Sequence, residues 1–230
     1  MITSKEIKEF VINCGADKCG IANIERFAGA PEGFSPADVY KDCRSVIVFL
    51  KRMPTGPILA ANPVPYTHTA YMLYTQLNTI GFQLSEFLQT NNAQGVPIPS
   101  DVPYIYWDEK NKHGQAIISL RHSAWLAGLG FLGRNTLLIN EDLGNMGYIG
   151  AVLSDAEFDA DAMVTDFECP PKCSICLDAC THHALNGITV DQKICREFSF
   201  YQNERGFDIY DCKECRKSCI LRNGKRKLAG

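Results

Sequence analysis

Eight of the eleven cysteines in this 230-residue chain fall between Cys169 and Cys219, behind 125 residues that contain none. A segment so rich in thiols and so poor in aliphatic side chains buries little core of its own and needs another source of stability. The N-terminus, MITSKEIKEF, has no apolar stretch of the signal-peptide type. The thiols are therefore expected in a reducing, cytoplasmic setting, where bound metal is a better reading than disulfides. The change in cysteine density puts a boundary near Asp166, so residues 1–165 are expected to form one domain and 166–230 a small module. With 46% hydrophobic and 21% charged side chains, disordered and collagen-like classes are excluded. A net charge of −3 gives no general footprint for nucleic acid. No run of 18 apolar residues exists that would make a membrane-spanning helix.

The cysteine spacing is ordered. The first cluster reads Cys169-x3-Cys173-x2-Cys176-x3-Cys180 and the second Cys212-x2-Cys215-x3-Cys219, with Cys195 alone between them. Bacterial ferredoxins carry C-x2-C-x2-C-x3-C, in which three cysteines hold one cluster and the fourth reaches the other. The first motif here has one extra residue in its first gap and keeps the remainder. Its partner lacks the first cysteine, which Cys195 can replace. Under that two-cluster wiring, Cys169, Cys173, Cys176 and Cys219 hold one [4Fe–4S] cluster, and Cys180, Cys195, Cys212 and Cys215 hold the other. Two zinc sites of four cysteines each would use the same residues; the interlocked x2, x3 tail, present twice, favours iron–sulfur. The proline that closes the ferredoxin run is absent, Thr181 and Ile220 standing in its place. Irons saturated by protein sulfur offer no substrate site, so the clusters are expected to pass single electrons toward something held by the first domain.

That first domain reads as mixed α/β. Thr3 with Glu6 is a capping-box signature, and Ile7, Phe10, Val11 and Cys14 recur at helical spacing, which predicts a helix over 4–14. Residues 18–24 and 44–50 read as strands, the second a continuous apolar run suited to a sheet covered on both faces. Four prolines between Met53 and Pro65 predict an irregular loop. Ala70, Leu73, Leu77, Ile80, Leu84 and Leu88 then mark a long amphipathic helix over 66–89, its stripe facing the core. A proline-rich turn over 96–103, a strand over 115–119, a helix over 122–129 and strands over 136–140 and 148–153 complete the domain. Cys14, Cys19 and Cys43 are read as structural.

Gly128, Gly130 and Gly133 form a G-x-G-x-x-G string. A dinucleotide fingerprint follows a strand and opens a helix; here a helix comes before and a strand after. The glycines instead permit close backbone approach to a large flat ligand, with Arg134 and Asn135 as polar contacts, or they end a helix. The segment HSAWLAGLGFLGRNTLLI, followed by GAVLSD and the cysteine segment, resembles the core of epoxyqueuosine reductase in a short form without the C-terminal helical repeat. Val96-Pro-Ile-Pro-Ser100 and the helix led by Tyr66-Thr-His68 extend the likeness, which runs from about Cys14 to Cys219. Reductive dehalogenases share the plan. The resemblance implies a nitroreductase-like α/β (α+β) cofactor domain followed by a ferredoxin-like double-cluster module. It also implies an oxidoreductase whose clusters reduce cobalamin held by the first domain, flavin being the alternative cofactor.

Two departures stand out. The family's aspartate proton donor falls near Gly114, within HGQAIIS, where no aspartate occurs. The sequence also ends at Gly230 without the helical repeat used for tRNA, and Lys225-Arg226-Lys227 is a short charge run; a nucleic-acid partner is not expected. Among candidates for proton transfer, His122 faces the glycine turn by helical spacing, and Asp108 is a second acid. His68, His113, His182 and His183 are read as ordinary polar groups. The expected electron donor is of the ferredoxin or flavodoxin class. The alternative to an enzyme is an electron-transfer or corrinoid-reducing partner with no substrate chemistry of its own.

Overall fold

The computed structural model describes residues 2–103 and 105–225. Helix α1 (Ser4–Asn13) starts at the capping box: Thr3 Oγ1 accepts the Glu6 N–H at 3.3 Å, and the Glu6 carboxylate accepts the Thr3 N–H at 2.8 Å. Strands β1 (Lys18–Asn23) and β2 (Ser45–Arg52) follow, with the one-turn helix α2 (Pro36–Val39) between them. The expected loop over 53–65 holds helix α3 (Thr55–Leu59) and the start of helix α4 (Val64–Thr90). Prolines do not forbid this, because first-turn N–H groups have no intrahelical acceptor to lose. All six stripe residues of α4 are buried.

Strand β3 (Gly95–Ile98) replaces the expected proline-rich turn. It is an edge strand, where Pro97 can stand without breaking a ladder on its outer side. Next come β4 (Tyr106–Asp108) and β5 (His113–Gln115), paired as a hairpin, so residues 116–119 are not the expected strand. Helix α5 (Leu120–Leu126), the two-residue strands β6 (Phe131–Leu132) and β7 (Leu138–Ile139), and β8 (Gly147–Ser154) complete this part. The main sheet is antiparallel in the order β1-β2-β8-β3. Its two faces are both covered. Ile47 and Phe49 pack with α1 and the α4 stripe, whereas Val46, Val48 and Leu50 pack with Ala124, Ala127 and Leu129 around α5.

The cysteine segment carries α6 (Ile175–Asp178), α7 (Gln192–Ser199), the hairpin β9 (Phe200–Gln202) with β10 (Asp208–Tyr210), and α8 (Glu214–Lys217). It docks on the sheet domain through apolar packing, Leu221 with Ile139 and Tyr210 against the α4 side of the core, and through hydrogen bonds. The Tyr210 N–H donates to Thr67 Oγ1 at 2.9 Å, and the Gly114 N–H donates to Gln192 Oε1 at 3.3 Å. Of the basic run at the end, Lys225 pairs with Glu141 at 3.0 Å, and Arg226 and Lys227 lie outside the described residues. Among the described residues no helix is long and apolar enough to cross a membrane.

Candidate functional site

The thiols of the cysteine segment sort into two sets of neighbours. Burial pushes the Cys219 thiol up to about 11, with Cys169, Cys176 and Cys173 adding to the rise. Cys176 is likewise raised by burial, then by Cys169 and Cys173. In the other set, burial pushes Cys215 up to about 12; Cys195, Cys212 and Cys180 add to that, while Arg216 opposes it. Cys195 is raised by burial and again by Cys212 and Cys180. A small cleft is lined by all four thiols of the first set together with Arg134 and Leu221. None of the eleven cysteines is in a disulfide, and Cys212 is the exposed member of the eight. Among the described residues no three ligand-type side chains close on one point as ligands to a single ion do.

Arg134 and Asn135 hold this segment in place, one residue to each set. Arg134 Nη1 donates to Cys173 O at 2.7 Å, and Asn135 Nδ2 donates to Cys215 O at 3.2 Å. Neither lines the large cavity described next, and neither do Gly128, Gly130 and Gly133. Their expected contact with a flat ligand is therefore not part of this cavity's wall, and the alternative reading of the glycines, a helix stop, fits Gly128. The glycines make room for the chain itself. Gly128 has φ +72° and ends α5, where a Cβ would strike Ala162 O; at Gly130, with φ +149°, it would strike Ile139 O.

The large cavity, about 950 Å³, opens between the sheet domain and α7. Its wall includes Arg26, Phe34, Asp101, Arg121, His122 and Trp125 from the sheet domain, and Cys195, Arg196 and Phe200 from the cysteine segment. Arg26 is aimed by carbonyls, its Nη1 donating to Leu126 O at 2.6 Å and Asp161 O at 2.7 Å. Arg121 Nη1 donates to Thr136 O at 2.6 Å and Thr136 Oγ1 at 2.8 Å. Burial lowers the Arg121 pKa, but a guanidinium stays charged at any ordinary pH. Arg196 lies 5.1 Å from the Trp107 ring and 5.4 Å from the Phe200 ring. Three arginines against Asp101, the carboxylate of the described wall, give the cavity a net attraction for anions.

His122 lines this cavity, its Nδ1 2.7 Å from Ser119 Oγ. Burial and then Arg121 hold its pKa below the ordinary histidine value, so the ring is neutral at pH 7. His113 lies on the same wall, whereas His182 stacks on Phe198 at 3.5 Å. Asp108, read as a second acid, is not part of the wall. It sits exposed at the β4–β5 turn, where the Asn111 side chain and backbone hold its carboxyl below the usual range. Sequence reasoning missed Arg26, Asp101, Arg121 and Arg196. Arg121 and Arg196 each adjoin a residue it had singled out, but nothing local distinguishes Arg26 from a surface cation.

No family model matches the chain. The epoxyqueuosine reductase of Staphylococcus aureus is 34% identical over 138 residues, which cover 55% of this chain and 35% of that protein. The match therefore spans about a third of that relative's length. Among solved structures, the epoxyqueuosine reductase of Streptococcus thermophilus superposes with a TM-score of 0.69 at 19% identity, covering 98% of this chain and 67% of the other. A reductive dehalogenase, from a structure described as suggesting a mechanism for B12-dependent dehalogenation, gives a TM-score of 0.73 at 18% identity, with 98% and 33% covered. The chain thus resembles epoxyqueuosine reductases in sequence and fold, and reductive dehalogenases in fold.

Proposed function

We propose that the chain is an iron–sulfur oxidoreductase that passes single electrons through two [4Fe–4S] clusters to a corrinoid in the large cavity, for a reductive reaction. On this reading residues 166–230 are the ferredoxin-like module and 1–165 the nitroreductase-like cofactor domain. One observation carries it: Cys195 belongs to one thiol set and also lines the cavity. An electron leaving the Cys180, Cys195, Cys212, Cys215 site therefore enters the cavity without a long crossing through protein.

The residues suit both groups. Eight thiols in two sets of four are the donor set of two clusters, which supply one-electron transfer when bound. The cavity, about 950 Å³, stands near the upper end of the roughly 300–1,000 Å³ usual for small-molecule sites, as a large ring system requires. A corrinoid there would supply a reducible metal centre. The chain's own parts are simpler. Trp125 and Phe34 offer apolar faces to a ring, and Arg26, Arg121 and Arg196 bind and orient an anionic group. Neutral His122, engaged at Nδ1 by Ser119, leaves Nε2 to give up or take a proton. A reduced ferredoxin or flavodoxin, in a reducing cytoplasm, is the class of donor. A second reading, an electron carrier without substrate chemistry, draws on Gly114, which lines the cavity where the resembling family has its acid.

Cobalamin and, separately, flavin mononucleotide are titrated into anaerobic holoprotein and followed by visible spectrum. Cobalamin is expected to bind, and Arg121→Ala to weaken it about tenfold or more, as loss of a charge-assisted contact worth roughly 1.5–3 kcal/mol requires. Flavin binding alone would replace the corrinoid in this account, and binding of neither would favour the electron carrier.

A further inference from the structure

We propose that the large cavity takes a flat ligand with two ionised carboxylates, one held by Arg26 and one by Arg121. This names the ligand class for the cavity and rests on the reading of that cavity as the reaction site. The two guanidiniums are held alike. Each commits Nη1 to two oxygens of the chain: Leu126 O and Asp161 O for Arg26, Thr136 O and Thr136 Oγ1 for Arg121. That nitrogen carries two hydrogens, so it is filled in both residues. Nε and Nη2 form the edge of a guanidinium that grips a carboxylate with two parallel hydrogen bonds. Among the described residues they have no partner in Arg26 or in Arg121.

Neither edge is sealed. Among the described residues the arginine nitrogen buried without a partner is Arg222 Nε, whereas Arg26 and Arg121 are half-buried and line the cavity. Neither is paired with a carboxylate among the described residues. The carbonyls and hydroxyl that hold them are neutral. A cation drawn part-way out of water without an anion is costly, and an arriving anion removes that cost. Arg196, on the same wall, already lies against the Trp107 and Phe200 rings.

Two anions are required rather than one, because the heads are anchored apart. Arg121 stands in the first turn of α5, whereas Arg26 is tied to the carbonyl of Leu126, the last residue of that helix. The rise from residue 121 to residue 126 is about 7.5 Å along the axis. Burial lowers the Arg121 pKa with no contribution from Arg26, as separated heads require. Trp125 belongs to the stretch between the anchors, and Phe34 lies on the same wall. The fitting ligand therefore has a flat apolar body between two carboxylates. A ring cofactor with ionised side chains has that chemistry, and so does a separate dicarboxylic substrate.

The test is calorimetric titration of anaerobic holoprotein with two matched pairs of probes. One pair is naphthalene-2,6-dicarboxylate and 2-naphthoate; the other is cobyrinic acid, with carboxylate side chains, and cobalamin, with amides in their place. Wild type is expected to prefer the polyacid by about tenfold or more. A preference in the naphthalene pair assigns the carboxylates to a separate substrate, and one confined to the corrinoid pair assigns them to the edge of the ring. Arg26→Gln and Arg121→Gln should each abolish the preference and leave the weaker probe nearly unchanged, since the other arginine still takes one anion. Arg26→Lys and Arg121→Lys keep the charge without the fork; they serve where a glutamine variant does not fold, and should lose most of the preference. No preference in either pair would overturn the inference. So would loss of both probes of a pair in one variant with no change in the other, the behaviour of a single anion site. Wild type that binds none of these probes would overturn the reading of the cavity as well.

Discussion

The two parts of the molecule solve the stability problem by different means. In the sheet domain, Ser45 to Leu50 are buried without a break, and the two faces of β2 feed two separate apolar clusters. Among the described residues from Cys169 onward, the buried apolar side chains are Cys176, Ala184, Ile209 and Leu221. Burial scaled by apolar area can hold the first part together and cannot hold the second. What the second part has instead is docking hydrogen bonds and eight thiols in two sets. The sheet domain therefore supplies both the stable core and most of the cavity wall, and the part least able to fold alone carries the proposed electron path.

The sharpest way to break this contrast is to remove the metal. With iron stripped anaerobically by a chelator, amides of α7 and α8 should exchange hydrogen at nearly unfolded rates, while those of β2 and β8 stay protected. Equal loss in both regions, or continued protection of α7 and α8, would dissolve the distinction. A smaller effect separates packing from ligand contact at the glycine turn. Gly130→Val should destabilise the sheet domain, the strained backbone alone costing about 1–3 kcal/mol. Gly56→Ala, where an added Cβ meets nothing within 4 Å, should leave the thermal midpoint unchanged or slightly raised. A Gly130→Val protein as stable as wild type would contradict the packing role.

The smallest effect concerns His122. Its folded-state pKa is depressed, so the unfolded chain binds the extra proton first as pH falls. Stability should therefore rise with pH between the folded value and the ordinary value of about 6.5, and this contribution should be flat above it. A nuclear magnetic resonance titration placing His122 at or above the ordinary value would contradict the burial and Arg121 argument.

What the sequence made legible was whatever depends on neighbours along the chain. The Thr3–Glu6 box, the stripe of α4 and the apolar run of β2 are local patterns, and each lies where the spacing predicts. The proline-rich stretch misled because Pro97 forbids a central strand but not an edge one, and only the sheet order reveals which it is. The glycine string depends on tertiary packing in the same way. Gly128 and Gly130 admit close approach, as their type suggests, but what approaches is the chain's own backbone at Ala162 and Ile139. Of the cavity wall, His113, His122 and Cys195 stand out in the sequence, whereas Arg26, Asp101, Arg121 and Arg196 are brought together by tertiary packing and share no spacing.

Cys195 as a ligand at the cavity wall joins the proposed electron path to the cavity, and metal analysis tests that most directly. Iron, acid-labile sulfide and zinc are measured in anaerobically purified wild type and Cys195→Ser protein. About eight irons and eight sulfides are predicted in wild type, from two four-iron clusters. The variant should keep about four of each, because one set of four loses a thiolate and the other is untouched. Two zincs without iron in wild type, or all eight irons retained by Cys195→Ser, would contradict it.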